Sequence, residues 1–276
     1  MTPDIAMDLA ESVAKYVVES IIPGARMTFC ERQSDSECDF DLLLTSGDHA
    51  ALEVTAAADA AYLATLAAID APRHGGHFVQ AVHTRATWYV HPVMGARIRT
   101  IRRDIDSYIA AVEATGLRQF FAAIHASEYE PVRRIAEELG IECGQLVSDA
   151  QPSRIILASP GRGYLLESDA LLLALESEAA KPDNVRKLRG SPGPERHLFV
   201  FVDMSSRAAW GAMLAGIVPS RVPVLPDGIS HAWLASSGGV REHGFRTLRF
   251  DHSARWQDFG DVLAPLVARS RTRPVI

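Results

Sequence analysis

Between Ile5 and Ile21 apolar residues recur at Leu9, Val13, Val17 and Ile21, while Glu11, Lys15 and Glu19 fall on other faces. That period predicts an amphipathic helix, stopped by Pro23-Gly24. Met27 to Arg32 reads as a short strand. Asp39 to Thr45 and Ala50 to Thr55 are apolar runs on either side of Ser46-Gly47-Asp48-His49, the pattern of a β-hairpin. Ala56 to Ala71 is a helix of small residues with Leu63, Leu66 and Ile69. Thr87-Trp88-Tyr89-Val90 is β-branched and aromatic and predicts a strand. From Met94 to Thr115 a long helix buries Ile98, Ile101, Ile105, Ile109 and Val112.

Further on, Phe120 to His125 predicts a strand and Glu130 to Leu139 an amphipathic helix ended by Gly140. Arg154 to Ala158 reads as a buried strand, Asp169 to Leu188 as a helix broken near Pro182, and Arg196 to Asp203 as a central strand. Ala208 to Ile217 reads as a helix, and a strand runs through Trp233. Arg241 to Phe250 then forms an edge or hairpin strand, and Trp256 to Arg269 a closing helix. This alternation predicts an α/β fold, a mixed central sheet flanked by helices. The Pro/Gly/Ser stretch Arg189 to Pro194 is the best linker candidate. The chain is expected to divide near it into residues 1–183, an α/β core, and residues 184–276, a basic part packed on the same core.

Composition narrows the class. With 47% hydrophobic and 22% charged residues, the chain of 276 residues has the make-up of a soluble globular protein. No apolar run approaches the ~20 residues of a membrane span, and the N-terminus lacks the pattern of a signal peptide. Cys30, Cys38 and Cys143 have no metal-type spacing and read as reduced thiols, so a cytoplasmic location is expected. Residues 184–276 hold 13 Lys/Arg against 7 Asp/Glu, whereas residues 1–183 hold 15 against 27. Only Lys15, Lys181 and Lys187 are lysines. GC-rich coding produces such an Arg- and Ala-rich chain, but arginines also clamp phosphates and carboxylates.

Candidate chemistry concentrates in the hairpin. Glu53 and Thr55 share one strand face, and an acid on the partner strand, Asp41 or Asp39, would bring two oxygen ligands together for a cation such as Mg²⁺. "FDLLL…ALEVT" (Phe40–Leu44, Ala51–Thr55) resembles the core of the PD-(D/E)XK, restriction-endonuclease-like family. The resemblance implies Asp41 (or Asp39) and Glu53 as catalytic acids and metal ligands. The family's lysine position holds Thr55, which cannot oppose charge on a transition state. In that family an acid on the first helix sometimes joins the metal; Glu11 or Glu19 would be that acid here. "HLFVFVD" (His197–Asp203) and "LPDGISHAWLAS" (Leu225–Ser236) are similar to segments of actinobacterial proteins of unknown activity that also carry Glu-Val-Thr.

Elsewhere, Arg97, Arg99, Arg102 and Arg103 crowd a helix start, where they oppose the macrodipole unless an anion or acidic surface faces them. His197 and His231 are candidate site residues, and His74-Gly-Gly-His77 a candidate loop over a site. No Walker loop, nucleophile elbow, zinc-protease helix or dinucleotide fingerprint is present. Three readings follow. The favoured one is a nuclease-like fold that has lost nuclease action and acts on or binds a small anionic metabolite, with Arg102, His197 and His231 as substrate-binding residues. It needs no cofactor. A second is a metal-dependent phosphodiesterase using Asp41 and Glu53 with Mg²⁺, Lys187 replacing the missing lysine. The third is a non-catalytic subunit with a protein partner. Nucleic acid is not favoured, since the net charge of −6 is negative and no basic run interleaves with aromatics.

Overall fold

A computed structural model describes residues 3–30, 37–72, 75–122, 130–149, 152–160, 169–237, 244–251 and 255–263. In chain order the elements begin α1 (Pro3–Ile21), β1 (Arg26–Phe29), β2 (Phe40–Leu43), β3 (His49–Ala57) and α2 (Ala60–Asp70). They continue with β4 (Phe78–Gln80), β5 (Thr87–Pro92), α3 (Ile98–Ala114), β6 (Gln119–Phe121), α4 (Glu130–Leu139), β7 (Ile141–Ser148) and β8 (Arg154–Leu157). The remainder is α5 (Ala170–Ala179), α6 (Pro182–Gly190), β9 (Glu195–Val202), α7 (Arg207–Leu214), β10 (His231–Ser237), β11 (Gly244–Phe250) and β12 (Trp256–Leu263). The fold is α/β, with two mixed sheets and seven helices among the described residues. No described helix is long and apolar enough to cross a membrane.

The chain divides into two units, residues 1–58 with 165–276, and residues 59–164. The division expected at residues 183 and 184 is therefore displaced. Arg189 and Gly190 close α6, and Ser191 to Pro194 lead into β9 of the same unit rather than link two domains. A local Pro/Gly cluster marks a turn, but it does not say whether the sheet on either side is the same one.

The first unit is a seven-stranded sheet in the order β1-β2-β3-β9-β10-β11-β12. The hairpin β2–β3 turns at Gly47, whose φ of 87° suits glycine. β3 pairs in parallel with β9, and β9 with β10. Alternation along β3 splits the core in two. Leu52 and Val54 join Val13, Val17, Phe199 and Trp233 under α1. Ala51 and Ala57 face the other way, with Leu198, Val200 and the α5–α7 side chains Leu175, Leu188 and Met213. The expected closing helix is replaced by β12, which pairs antiparallel with β11 across a bulge at Thr247/Leu248. The exposed edge of β11 offers a full ladder of backbone partners, and the Phe250 and Trp256 rings meet at 5.5 Å across it. Residues 264–269 of that expected helix lie outside the described residues.

The second unit carries a five-stranded sheet, β4-β8-β5-β7-β6. α3 lays its predicted isoleucine stripe on one face, against Trp88, Val90, Ile155 and Leu157. β6 stops at Phe121, short of the expected His125, and residues 123–129 lie outside the described residues.

Leu52 is fully buried at the centre of the α1 face, whereas Leu43 is 36% exposed. Leu52→Ala is expected to lower the unfolding free energy by about 3 kcal/mol. Leu43→Ala should change it by less than about 1 kcal/mol. Urea denaturation of both variants reads the difference.

Candidate functional site

Asp39 stands one residue before β2, and extending the Phe40–Leu52 pair by one step sets it opposite Glu53. Its backbone is fixed by Cys30, whose N–H donates to the Asp39 carbonyl at 2.9 Å. Its side chain is fixed by Val54, whose N–H donates to Oδ2 at 2.9 Å. Asp39 and Glu53 are both buried, on the sheet face covered by α5 and α6. Lys187, on α6, reaches the same point: Nζ donates to Glu53 Oε1 at 2.7 Å and lies 3.3 Å from Asp183 Oδ2. Burial pulls the Lys187 pKa down, but the hydrogen bond and charge of Glu53, with Asp39 and Asp183 adding to them, outweigh it. The ammonium is held above the ordinary lysine value, so it is a fixed cation and no general base at neutral pH.

Local sequence explains why Lys187 arrives there. Pro182 cannot continue α5 and starts α6 instead, bending the chain between them. That elbow is tied to β3 by Thr55, whose hydroxyl donates to Glu178 Oε2 at 2.8 Å. Glu178 is itself buried, pairs with Lys181 Nζ at 2.5 Å, and accepts at its carbonyl from Asn184 Nδ2. Ser191 closes the end of α6 by donating to the Lys187 carbonyl at 2.8 Å. Thr55 thus holds the elbow that delivers a lysine from elsewhere in the chain. Glu178 is a member of this site that the sequence reading missed; of the two acids in this Ala/Leu-rich helix, Glu176 and Glu178, nothing local marks which one is buried.

The other expected site residues go elsewhere. Asp41 pairs with Ala51 in register and sits on the same face as Glu53, but its exposed carboxylate meets His49 Nδ1 at 2.9 Å. Of the two candidate first acids, Asp39 is therefore the one beside Glu53. Asp41 lines a neighbouring cavity of about 610 Å³ with Cys38, His49, Ala51 and Ser191. Cys30 also lines it; burial, then the nearby Cys38, push its thiol up to about 11, which leaves it protonated. α1 packs on the opposite face, so Glu11 and Glu19 do not reach Glu53, and Glu19 Oε1 accepts from the Met27 N–H at 2.8 Å. Arg102 lies in the second unit and donates to the carbonyls of Ile69, Gly76 and Phe78. Its guanidinium is spent on holding a loop. In the candidate loop, His77 is fixed by the Leu157 carbonyl and Asp70, and His74 lies outside the described residues.

His197 and His231 do meet, on adjacent strands under α1, facing away from Glu53. With Glu195 they offer ligand atoms within 4.8 Å of one another, a set that could hold a metal ion. As arranged, His197 bonds to Glu195 and Trp233, and His231 Nδ1 meets the Ser230 hydroxyl at 2.9 Å. The two rings stack at 4.3 Å, only 7° from parallel. A metal lies in the plane of each imidazole that binds it, at about 2 Å, so stacked rings cannot share one without rotating. Trp233 Nε1, which can only donate, gives its proton to His197 Nδ1 at 3.1 Å. Nε2 therefore carries the ring proton and donates to Glu195 Oε2 at 3.1 Å. Burial, then His197 and Arg249, push His231 down to about 4, and burial lowers His197 as well; both are neutral at pH 7.

Comparison with protein-family models, curated proteins and solved structures finds no match for this chain.

The Glu53–Lys187 pair sets a pH signature. A lysine raised on folding stabilises fully below its ordinary value of 10.5, and that stabilisation is lost as pH rises through the higher folded value. Unfolding free energy should therefore fall more steeply above pH 10.5 in the natural protein than in Lys187→Met. Glu53→Ala leaves the buried ammonium with only the exposed Asp183 and the nearby Asp39, and should cost about 3 kcal/mol at neutral pH. Urea titrations across pH for the three proteins check both expectations.

Proposed function

We propose that Asp39, Glu53 and Lys187 form the site of a Mg²⁺-dependent phosphodiesterase on a restriction-endonuclease-like core. The observation that carries this reading is Lys187 Nζ, 2.7 Å from Glu53 Oε1. It supplies the cation that Thr55 does not. The loss of nuclease action expected from Thr55 rested on that missing charge, so its main support falls away.

The donor set fits the ion. Two carboxylates that the hairpin register sets opposite each other suit a hard cation that prefers oxygen. The Val54 N–H orients one of them before any ligand arrives. Two carboxylates and one ammonium leave one net negative charge; a divalent cation inverts it, which then matches a phosphodiester. Bound Mg²⁺ would supply Lewis acidity toward a phosphoryl oxygen and a more acidic water. Lys187, permanently protonated, stabilises charge developing on the transferred phosphate. Glu53 holds Lys187 in place, and the Thr55–Glu178 bond holds the helix that carries it. The cavity of about 610 Å³ beside Asp41 and Ala51, on the same sheet face, gives a substrate an approach.

A second reading rests on burial. Asp39 and Glu53 are only 0% and 2% exposed, as suits an ion pair kept for structure in a non-catalytic subunit. The small-anion reading has less support, because His197 and His231 face away from Glu53 and the Arg102 guanidinium donates to backbone carbonyls of its own unit.

Hydrolysis of bis(p-nitrophenyl) phosphate and of a labelled oligonucleotide with Mg²⁺ or Mn²⁺ tests the proposal. Asp39→Asn and Lys187→Met should each reduce the rate at least about 100-fold. In Thr55→Lys/Lys187→Met, a lysine returned to β3 should recover part of it. A natural protein that neither cleaves nor gains melting temperature with either metal would leave only the structural reading.

A further inference from the structure

Cys30 and Cys38 have no metal-type spacing in the sequence, yet the fold brings their thiols together. β1 runs antiparallel to β2, and one step beyond the Phe29–Phe40 pair sets Cys30 opposite Asp39. The Cys30 N–H donates to the Asp39 carbonyl at 2.9 Å across that step. Cys38 immediately precedes Asp39, and its thiol is in hydrogen-bonding contact with that of Cys30. Both are free thiols and pack on the sheet face covered by α5 and α6. Both line the cavity of about 610 Å³ beside Asp41, where Cys30 is half-buried and Cys38 buried.

The two thiols bracket Asp39. The Cys30 S–H donates to the Cys38 sulfur, and the Cys38 S–H donates to the Phe40 carbonyl at 3.3 Å. Cys38 thus spans Asp39 on one side, while the Cys30 backbone holds it from across the ladder. The Asp39 carboxylate in turn accepts the Val54 N–H at 2.9 Å. A buried cysteine by itself packs as a small apolar group. Two thiols in contact have a further chemistry open to them, a bond to each other. A disulfide holds its sulfurs about 2 Å apart, far inside hydrogen-bonding contact, so it forms here only with a local shift of the chain.

We propose that Cys30 and Cys38 are an oxidisable dithiol whose disulfide releases Asp39 from β3. Hydrogen peroxide serves as the oxidant. One sulfur, as its thiolate, attacks a peroxide oxygen; the O–O bond breaks, a sulfenic acid forms and the departing oxygen leaves as water. The second sulfur then attacks the sulfenic sulfur, and that oxygen leaves with a proton as a second water. Two thiols lose two electrons in all, and one peroxide gains them. The new bond removes the proton that Cys38 gave to Phe40 and draws Cys38 toward Cys30. Asp39, lying between Cys38 and Phe40, moves with it and leaves the Val54 N–H. That this would switch off hydrolysis rests on the Asp39–Glu53–Lys187 reading; the disulfide and the release of Asp39 do not.

The reduced whole chain is treated with hydrogen peroxide in EDTA, unfolded, alkylated and digested. Mass spectrometry should find a peptide linking Cys30 to Cys38, with Cys143 alkylated as a free thiol. Hydrogen exchange followed by NMR should show the Val54 amide at least about tenfold faster in the oxidised protein, reversed by dithiothreitol. Cys30→Ser and Cys38→Ser should each exchange Val54 alike before and after peroxide. Oxidation of the natural protein should also cut Mg²⁺-dependent hydrolysis of bis(p-nitrophenyl) phosphate at least about tenfold. A reduced protein without hydrolysis, but with the disulfide and the faster Val54 amide, would remove the phosphodiesterase reading and bear out this proposal. Thiols left free by peroxide, a disulfide between chains instead, or Val54 exchange unmoved by oxidation would overturn it.

Discussion

An ammonium taken out of water beneath a sheet costs several kcal/mol unless a carboxylate receives it. Glu53 on β3 and Lys187 on α6 meet that condition for each other although 134 positions separate them. Neither residue can be placed alone, so the pair constrains where α6 lies. The break at Pro182, the Lys181–Glu178 contact and the Thr55–Glu178 bond all serve the same end, fixing the elbow that carries the lysine. Losing a tie in this network shifts a charge, whereas losing a leucine on the other face of β3 opens only a cavity.

That asymmetry runs through the whole first sheet. On β3 the period of two sends Leu52 and Val54 to the layer under α1, and Glu53 and Thr55 to the layer under α5 and α6. β9 and β10 use the same alternation to place His197 and His231 under α1, where Trp233 and Glu195 settle the tautomer of His197 and burial keeps both imidazoles neutral. Two polar clusters thus sit on opposite sides of one sheet. Their chemistry differs because in one an ammonium bonds directly to a buried carboxylate, whereas in the other neutral imidazoles stack beneath a tryptophan and Arg249. Arg102, one of the arginines that looked like a clamp, illustrates the reverse: it has the right charge, yet its two terminal nitrogens donate to backbone carbonyls.

What the sequence by itself determined is the local grammar. The α1 stripe, the hairpin around Gly47, the isoleucine face of α3 and the break at Pro182 are each set by residues within a few positions of one another. Such short-range patterns act before any long-range contact exists, which is why the α/β class and the alternation of Glu53 and Thr55 could be read directly. Tertiary structure decided everything that depends on partners far apart in the chain. Register chose Asp39 rather than Asp41 as the neighbour of Glu53, because one residue of shift changes which side chains meet. β11 turned the final segment into a strand by offering its open edge to Trp256–Leu263. The grouping of residues 1–58 with 165–276 required β3 and β9 to pair in parallel, and a parallel pair needs a crossover whose content no local pattern reveals. The cation at Glu53 came from a helix rather than from β3 because burial, which a sequence does not display, demanded one from wherever the fold could bring it.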